Sequence, residues 1–364
     1  MWVCNLSGGL DSRTLLGLLG REHFPVTSIT YGQRNCRDVV YAKEIARRTG
    51  SDHHWFGLED GKWVKEWVDF HLALTEEFHS WIHAHGISVL PSARQLIDVN
   101  LSGYGGGIVV GGTLAVSDEL SDRTAFLCYL FRLYNQRHTW PSITEEEEEC
   151  LFSDSLYRRL RGRAFSSLAY EVSRYEDDSF RRQAEAFKMA NHDGRFIHNF
   201  LVINDSHFEN VCPFYDYRVV EFAYALPTSF KNDKRLLRAL INRTMPGLAM
   251  IPYNKDNLLV TDRRLIKASC TIIEKLKRQV NRHVYPVFRQ YPTLYADYEN
   301  YLRTDLREWG ESILFDKRTT DRGIYNPQFL QSIWARHQSS RELHTIGKIA
   351  PIMTYEMMLR RFYD

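Results

Sequence analysis

Leu6-Ser7-Gly8-Gly9-Leu10-Asp11-Ser12 is the stretch on which the fold turns. It follows the short apolar run Met1-Trp2-Val3-Cys4, which reads as a buried strand. It precedes Thr14-Leu15-Leu16-Gly17-Leu18-Leu19, which reads as the start of a helix packed on a sheet. Strand, glycine turn and helix in that order aim unsatisfied backbone N–H groups at an anion. Gly8 and Gly9 permit positive φ and a close approach of the backbone to a ligand. Ser7 and Ser12 add hydroxyl donors, and Asp11 adds a carboxylate. A carboxylate beside bound phosphates calls for a cation between them, and Mg²⁺ is the usual one, so Asp11 is the expected metal ligand. No Gly-Lys-Ser/Thr follows, which separates this loop from the Walker A type.

Outward from that loop, Phe24 to Tyr31 reads as a second strand ended by Gly32. Arg37 to Arg48 reads as a helix with Gly50 as its stop signal, and His53 to Phe56 as a third strand. The alternation β-α-β-α-β predicts an α/β fold with a doubly wound parallel sheet. Ligands of such sheets bind beyond the carboxyl ends of the strands, where the glycine loop lies. From Gly61 to Trp81 the spacing turns helical, with Trp63, Trp67, Phe70, Leu74 and Phe78 on one face, read as core packing. Leu96 to Leu101 reads as a further strand running into a second glycine loop, Ser102-Gly103-Tyr104-Gly105-Gly106-Gly107.

Beyond about residue 117 the strand signal fades. Phe126 to Tyr134, Leu151 to Leu168, Ser179 to Met189, Phe196 to Ile203, Val219 to Leu226 and Lys234 to Asn242 all read as helices. Asn254 to Thr261 reads as a loop, and Arg263 onward as mostly helical. The acidic run Glu145 to Glu149 reads as a solvated helix start or exposed loop.

The 364 residues can bury a large core, and 13% aromatics argue against disorder. A net charge of +2 makes no case for nucleic acid or an anionic membrane as partner. None of the six cysteines forms a Cys-x-x-Cys pair or a zinc-like spacing, so they are expected as reduced thiols of a cytoplasmic protein. No apolar run reaches a membrane span and no signal peptide is read at the start.

Ser7-Gly8-Gly9-Leu10-Asp11-Ser12 after a strand resembles the PP-loop of the ATP pyrophosphatases. Further segments resemble, in order, the synthetase domain of the asparagine synthetase family. They are Ile45 to His54, Leu101-Ser102-Gly103-x-Gly105-Gly106, Pro213 to Ala223 with Leu226-Pro227, Lys234 to Arg238, and Asn254-Lys255-Asp256-Asn257. The resemblance runs from residue 1 to about 260. It implies one synthetase-type domain over 1–364, with an adenine-nucleotide-binding α/β core of about 1–120 and a mainly helical part of about 121–364. No glutaminase domain is expected ahead of it; either the domain stands alone or the sequence is a fragment.

The chemistry the resemblance implies is Mg²⁺- and ATP-dependent. A substrate carboxylate attacks the α-phosphate, pyrophosphate leaves, and ammonia or an amine displaces AMP to form an amide. The ammonia or amine comes from solution or from a separate glutaminase. On that model Ser7, Gly8, Gly9 and Ser12 hold the pyrophosphate, Asp11 holds Mg²⁺, and Lys255 neutralises charge developing on the reacting oxygens. Ile29, Thr30 and Tyr31 flank the adenine, and Ser102 and Gly103 line the nucleotide. His53 and His54 are read as structural, and Asp216 and Glu221 as fixing a helix start.

The second loop departs from the family pattern. Tyr104, Gly107 and Ile108 stand where the family carries acids. A phenol is a poor base at neutral pH. The departure keeps a second hypothesis open, a non-catalytic relative that binds nucleotide or a partner. A third, a tRNA-modifying PP-loop enzyme, expects a basic face or a cysteine pair, and neither is present.

Overall fold

Val3 and Cys4 are fully buried in β1 (Trp2–Asn5), the middle strand of a five-stranded parallel sheet. The computed structural model describes residues 2–76, 78–111, 122–136, 143–261, 263–283, 291–339, 342 and 344–364. The sheet order is β3-β2-β1-β4-β5, with β2 (Thr27–Gly32), β3 (Asp52–Gly57), β4 (Val99–Leu101) and β5 (Glu209–Val211). β1 pairs with β2 through Val3–Thr27 and with β4 through Val3–Asn100. The chain therefore lays down one side of the sheet, returns, and starts the other beside β1. That reversal opens a crevice at the carboxyl ends of β1 and β4.

The helices that follow β1 and β2 have sequence reasons. α1 (Leu10–Arg21) starts four residues before the apolar run expected to open it, so Asp11 and Ser12 lie in its first turn. α2 (Arg37–Thr49) buries Val39, Ala42, Ile45 and Ala46 on one face. It ends at Gly50, whose φ of 71° is the left-handed geometry a side chain disfavours. β3 is one of the two edge strands, half-buried along its middle, and the Trp55 indole donates to the Gly32 carbonyl at 3.0 Å.

Two compact units emerge, each built from separated segments. The α/β unit comprises 1–59, 88–113 and 204–296; the helical unit comprises 60–87, 114–203 and 297–364. In the helical unit, Phe126, Leu127, Leu130, Val172, Ala184 and Phe187 form one apolar cluster. The helix Lys62–Leu74 buries Val64, Val68, His71 and Leu72. The aromatic row expected to face the core flanks that stripe instead, with Phe70 and Phe78 exposed. The segment 145–173 holds three helices, Glu145–Leu151, Asp154–Leu160 and Arg163–Ser173, the last two standing where a single helix was expected over 151–168. Gly162, at φ 75°, separates the last two. The acidic run opens the first of them, capped by Thr144 with Glu147 reaching back. Part of the helical tail expected after Arg263 lies outside the described residues. Among the described residues no helix is long and apolar enough to cross a membrane.

Candidate functional site

The loop between β1 and α1 is closed by its own side chains. The N–H of Ser7 donates to Ser12 Oγ at 3.1 Å, and that of Gly9 to Ser7 Oγ at 3.2 Å. The N–H of Gly8 donates to Asp38 Oδ1 at 2.9 Å. Asp38 sits in the first turn of α2, and its carboxylate also accepts from Asn254 Nδ2 at 2.7 Å. Burial pushes its carboxyl above the usual range, against both hydrogen bonds. The amides of Leu10, Asp11 and Ser12 open α1 and find no acceptor within the helix, the arrangement that receives an anion.

The second glycine loop follows β4 and leans on this helix start. A Cβ at Gly103 would lie 2.9 Å from the Ser12 nitrogen, and one at Gly106 would lie 2.8 Å from Asp11 Cβ. Only glycine allows the two loops to approach so closely. Gly105 has φ 85°, and a Cβ there would meet the Tyr215 ring at 2.5 Å. Tyr104 packs against Tyr215 with ring centroids 5.1 Å apart.

Asp11 is ion-paired. Lys234 Nζ donates to its two oxygens at 2.9 and 2.7 Å. The Lys234 ammonium thus stands where the sequence placed a magnesium ion. Among the described residues no group of three or more His, Cys, Asp or Glu could hold a metal. The Asp11 oxygens both accept from an ammonium and Asp38 is turned to amide donors, which together make a poor donor set for Mg²⁺.

Lys255 is exposed on a small hairpin, where Tyr253 N–H donates to Leu258 O at 2.8 Å and Pro252 bridges Leu259. The residue before it is tied to the first loop, since Asn254 N–H donates to Gly8 O at 3.3 Å. The Arg37 guanidinium donates to Asn254 O at 3.0 Å.

Arg13, which the sequence reading passed over, joins these parts. Its guanidinium is fully buried and donates to the carbonyls of Gly8 (2.9 Å), Leu248 (3.3 Å), Ile251 (2.8 Å) and Pro252 (2.7 Å). Burial lowers it to about 9, with Arg238 adding repulsion, so it stays charged at neutral pH. Its signal was legible as one cation inside an otherwise apolar helix face. Lys234 and Asp38 gave no such signal.

Tyr31 lies at the carboxyl end of β2, hydrogen-bonded to Asn5, and burial pushes its phenol up to about 12. Ser102, after β4, donates its N–H to Val211 O at 2.9 Å and accepts from Tyr104 N–H at 3.2 Å. Ser7, Gly8, Gly9, Asp11, Ser12, Ser102 and Gly103 therefore converge on the β1/β4 crevice. Tyr31 lies one strand away. His53, in β3, is bonded through Nδ1 to Ser28 Oγ at 2.9 Å. Asp216 caps the helix Tyr217–Ala225, accepting from Arg218 N–H.

A glycine loop opening the first helix at the switch point of a five-stranded parallel sheet, with a helical region after it, defines an α/β protein of the PP-loop class. The model of one family, asparagine synthase, matches residues 2–249, most of the chain, so the chain belongs to the asparagine synthase family. A search of curated proteins finds no match.

Proposed function

We propose that the chain is an ATP-dependent, AMP-forming carbon–nitrogen ligase of the asparagine synthase type. One observation carries this reading: the first glycine loop, the second glycine loop and the Lys255 hairpin meet around the start of α1. ATP binds there with its β- and γ-phosphates toward the amides of Leu10, Asp11 and Ser12 and the hydroxyls of Ser7 and Ser12. A substrate carboxylate oxygen attacks the α-phosphorus, and pyrophosphate departs with the bonding electron pair. Ammonia or an amine then attacks the acyl carbon, AMP leaves, and the nitrogen sheds one proton. Lys255 offsets negative charge on the reacting oxygens, a preorganised electrostatic role of the kind that contributes most to such steps. Tyr31 and the end of β2 flank the adenine, and Ser102 and Gly103 line the nucleotide. The acid and the amine are small molecules or peptides, the amine arriving from solution or a separate glutaminase, in the cytoplasm.

ATP–pyrophosphate exchange with a panel of carboxylic acids tests the reading. Lys255→Ala should keep ATP affinity within about threefold and lower exchange by roughly a hundredfold or more. Full exchange in that variant removes the assignment. The second reading, a nucleotide binder without turnover, is favoured by Tyr104, Gly107 and Ile108 standing in the second loop without a carboxylate. ATP binding with no exchange for any acid would select it.

A further inference from the structure

Lys234 is held in place by unusual backbone on both sides of the contact. It has φ 54° and ψ 35°, and Asp233 before it has φ 52° and ψ 31°. Two successive non-glycine residues in the left-handed region are uncommon and persist only where the surroundings impose them. Its stem crosses bare backbone: a Cβ at Gly111 would lie 2.7 Å from Lys234 Cγ. A Cβ at Gly107 would point toward the ammonium, 3.8 Å from Nζ. The second loop therefore presents glycine, with no anion, to the side of Lys234 that it faces.

The pair has a chemical remainder. An ammonium has three donors, and two are on the Asp11 oxygens, so one is left. Asp11 is the only acid on the loop itself, and Mg²⁺ needs an approach to an oxygen of about 2.1 Å. The ammonium takes two of the carboxylate's roughly four lone-pair sites and offsets its charge, so Asp11 has little left to draw a divalent cation. Positive charge for a polyphosphate is already present without a metal, since the Lys234 ammonium lies at the helix start and the helix N–H groups add partial positive charge.

We propose that the Lys234 ammonium replaces a bridging divalent cation beside Asp11, so that this site binds a nucleoside triphosphate without magnesium. This rests on the nucleotide-binding reading above. Lys234 bridges Asp11 to a phosphate oxygen with its third proton, and the affinity for ATP is set by that bond rather than by metal.

Equilibrium dialysis of radiolabelled ATP against the full chain tests it, in saturating MgCl₂ and in excess EDTA. The expected dissociation constants agree within about threefold. Lys234→Met should bind ATP at least about tenfold more weakly in EDTA, the loss of one charge-assisted bond, and MgCl₂ should restore most of it once Asp11 is released. Gly107→Asp keeps Lys234 and adds a competing carboxylate, so it should bind about tenfold more tightly with MgCl₂ than with EDTA. Binding by the wild-type chain only in MgCl₂ overturns the inference and leaves the nucleotide reading standing. No binding in either buffer overturns both. Unchanged metal-free affinity in a folded Lys234→Met also overturns it, and if that variant does not fold, Gly107→Asp decides by the same comparison.

Discussion

Arg13 shows how one side chain can set the distance between two segments, the first glycine loop and the Lys255 hairpin. Four backbone carbonyls share its guanidinium, one from the first glycine loop and three from the segment that leads into the Lys255 hairpin. No water is needed to satisfy those oxygens while the arginine is there. Methionine has similar length and no donor, so Arg13→Met would take a donor from four carbonyls, of which Gly8 O and Leu248 O keep backbone N–H partners; each one left unpaired costs about 1–3 kcal/mol. We expect Arg13→Met to lose about 3 kcal/mol or more in urea unfolding, and to expose the hairpin at 252–258 to limited proteolysis. A loss below about 1 kcal/mol with an unchanged cleavage pattern would show that the guanidinium is not what joins the two segments. Lys255 itself would be untouched, so any fall in pyrophosphate exchange would report its placement.

At the scale of elements, the sheet is joined inside by a row of amides. Asn5 N–H, at the end of β1, donates to Asn100 Oδ1 in β4 at 3.1 Å. Asn100 Nδ2 donates to Asn210 Oδ1 in β5 at 2.8 Å, and Asn210 Nδ2 to Asp205 at 2.6 Å. Asn100 is buried, so these bonds replace water rather than compete with it. Asn100→Ala removes a partner from two neighbouring strands and should cost about 2–4 kcal/mol in denaturant unfolding. ATP affinity should fall with it, because β4 delivers Ser102 and Gly103 to the site. Unaltered stability would mean that the row is incidental to the pairing of β1, β4 and β5. β1, α1, β2, α2 and β3 were legible in the sequence because each has a local cause: an apolar run, a glycine stop, a helical period. β5 was not, since Glu209-Asn210-Val211 has no strand pattern and is a strand only because β4 pairs with it. The Asp11–Lys234 contact spans 223 positions, and no local pattern encodes it. Gly162 was a readable stop signal, and reading through it merged two helices.

At the scale of the whole molecule, the two units differ in how they bury histidine. The helical unit packs four imidazoles together: His79 stacks on His83 at 4.7 Å and stands edge-on to Phe200 at 4.5 Å. His71 Nε2 donates to His79 O at 3.0 Å, and His85 Nδ1 lies 3.5 Å from the Tyr298 hydroxyl. Burial lowers His71 to about 4 and also lowers His79 and His85, with neighbouring imidazoles adding to the latter two. In the α/β unit burial lowers His53 to about 4, and His207 is lowered as well. A histidine whose folded value is depressed is neutral in both states above about pH 6.5. Below that the unfolded chain takes up a proton and the folded one does not, so stability is full above about pH 6.5 and falls toward pH 4. His71 alone contributes a loss of roughly 3 kcal/mol across that window. Glu299, beside His337 and Arg303, is held below the usual carboxylate range despite its burial, so its charge is lost at lower pH than the histidine window. Trp63, Trp67, Trp81, Trp309 and Trp334 all belong to the helical unit and report its unfolding by fluorescence. The urea midpoint from that signal should fall between pH of about 7 and about 5, and His71→Gln should flatten part of the slope. A midpoint that holds steady across that interval would require His79 to find a setting for its charge as good in the folded unit as in water, which the rings of Phe196 and Phe200 edge-on to it do not supply.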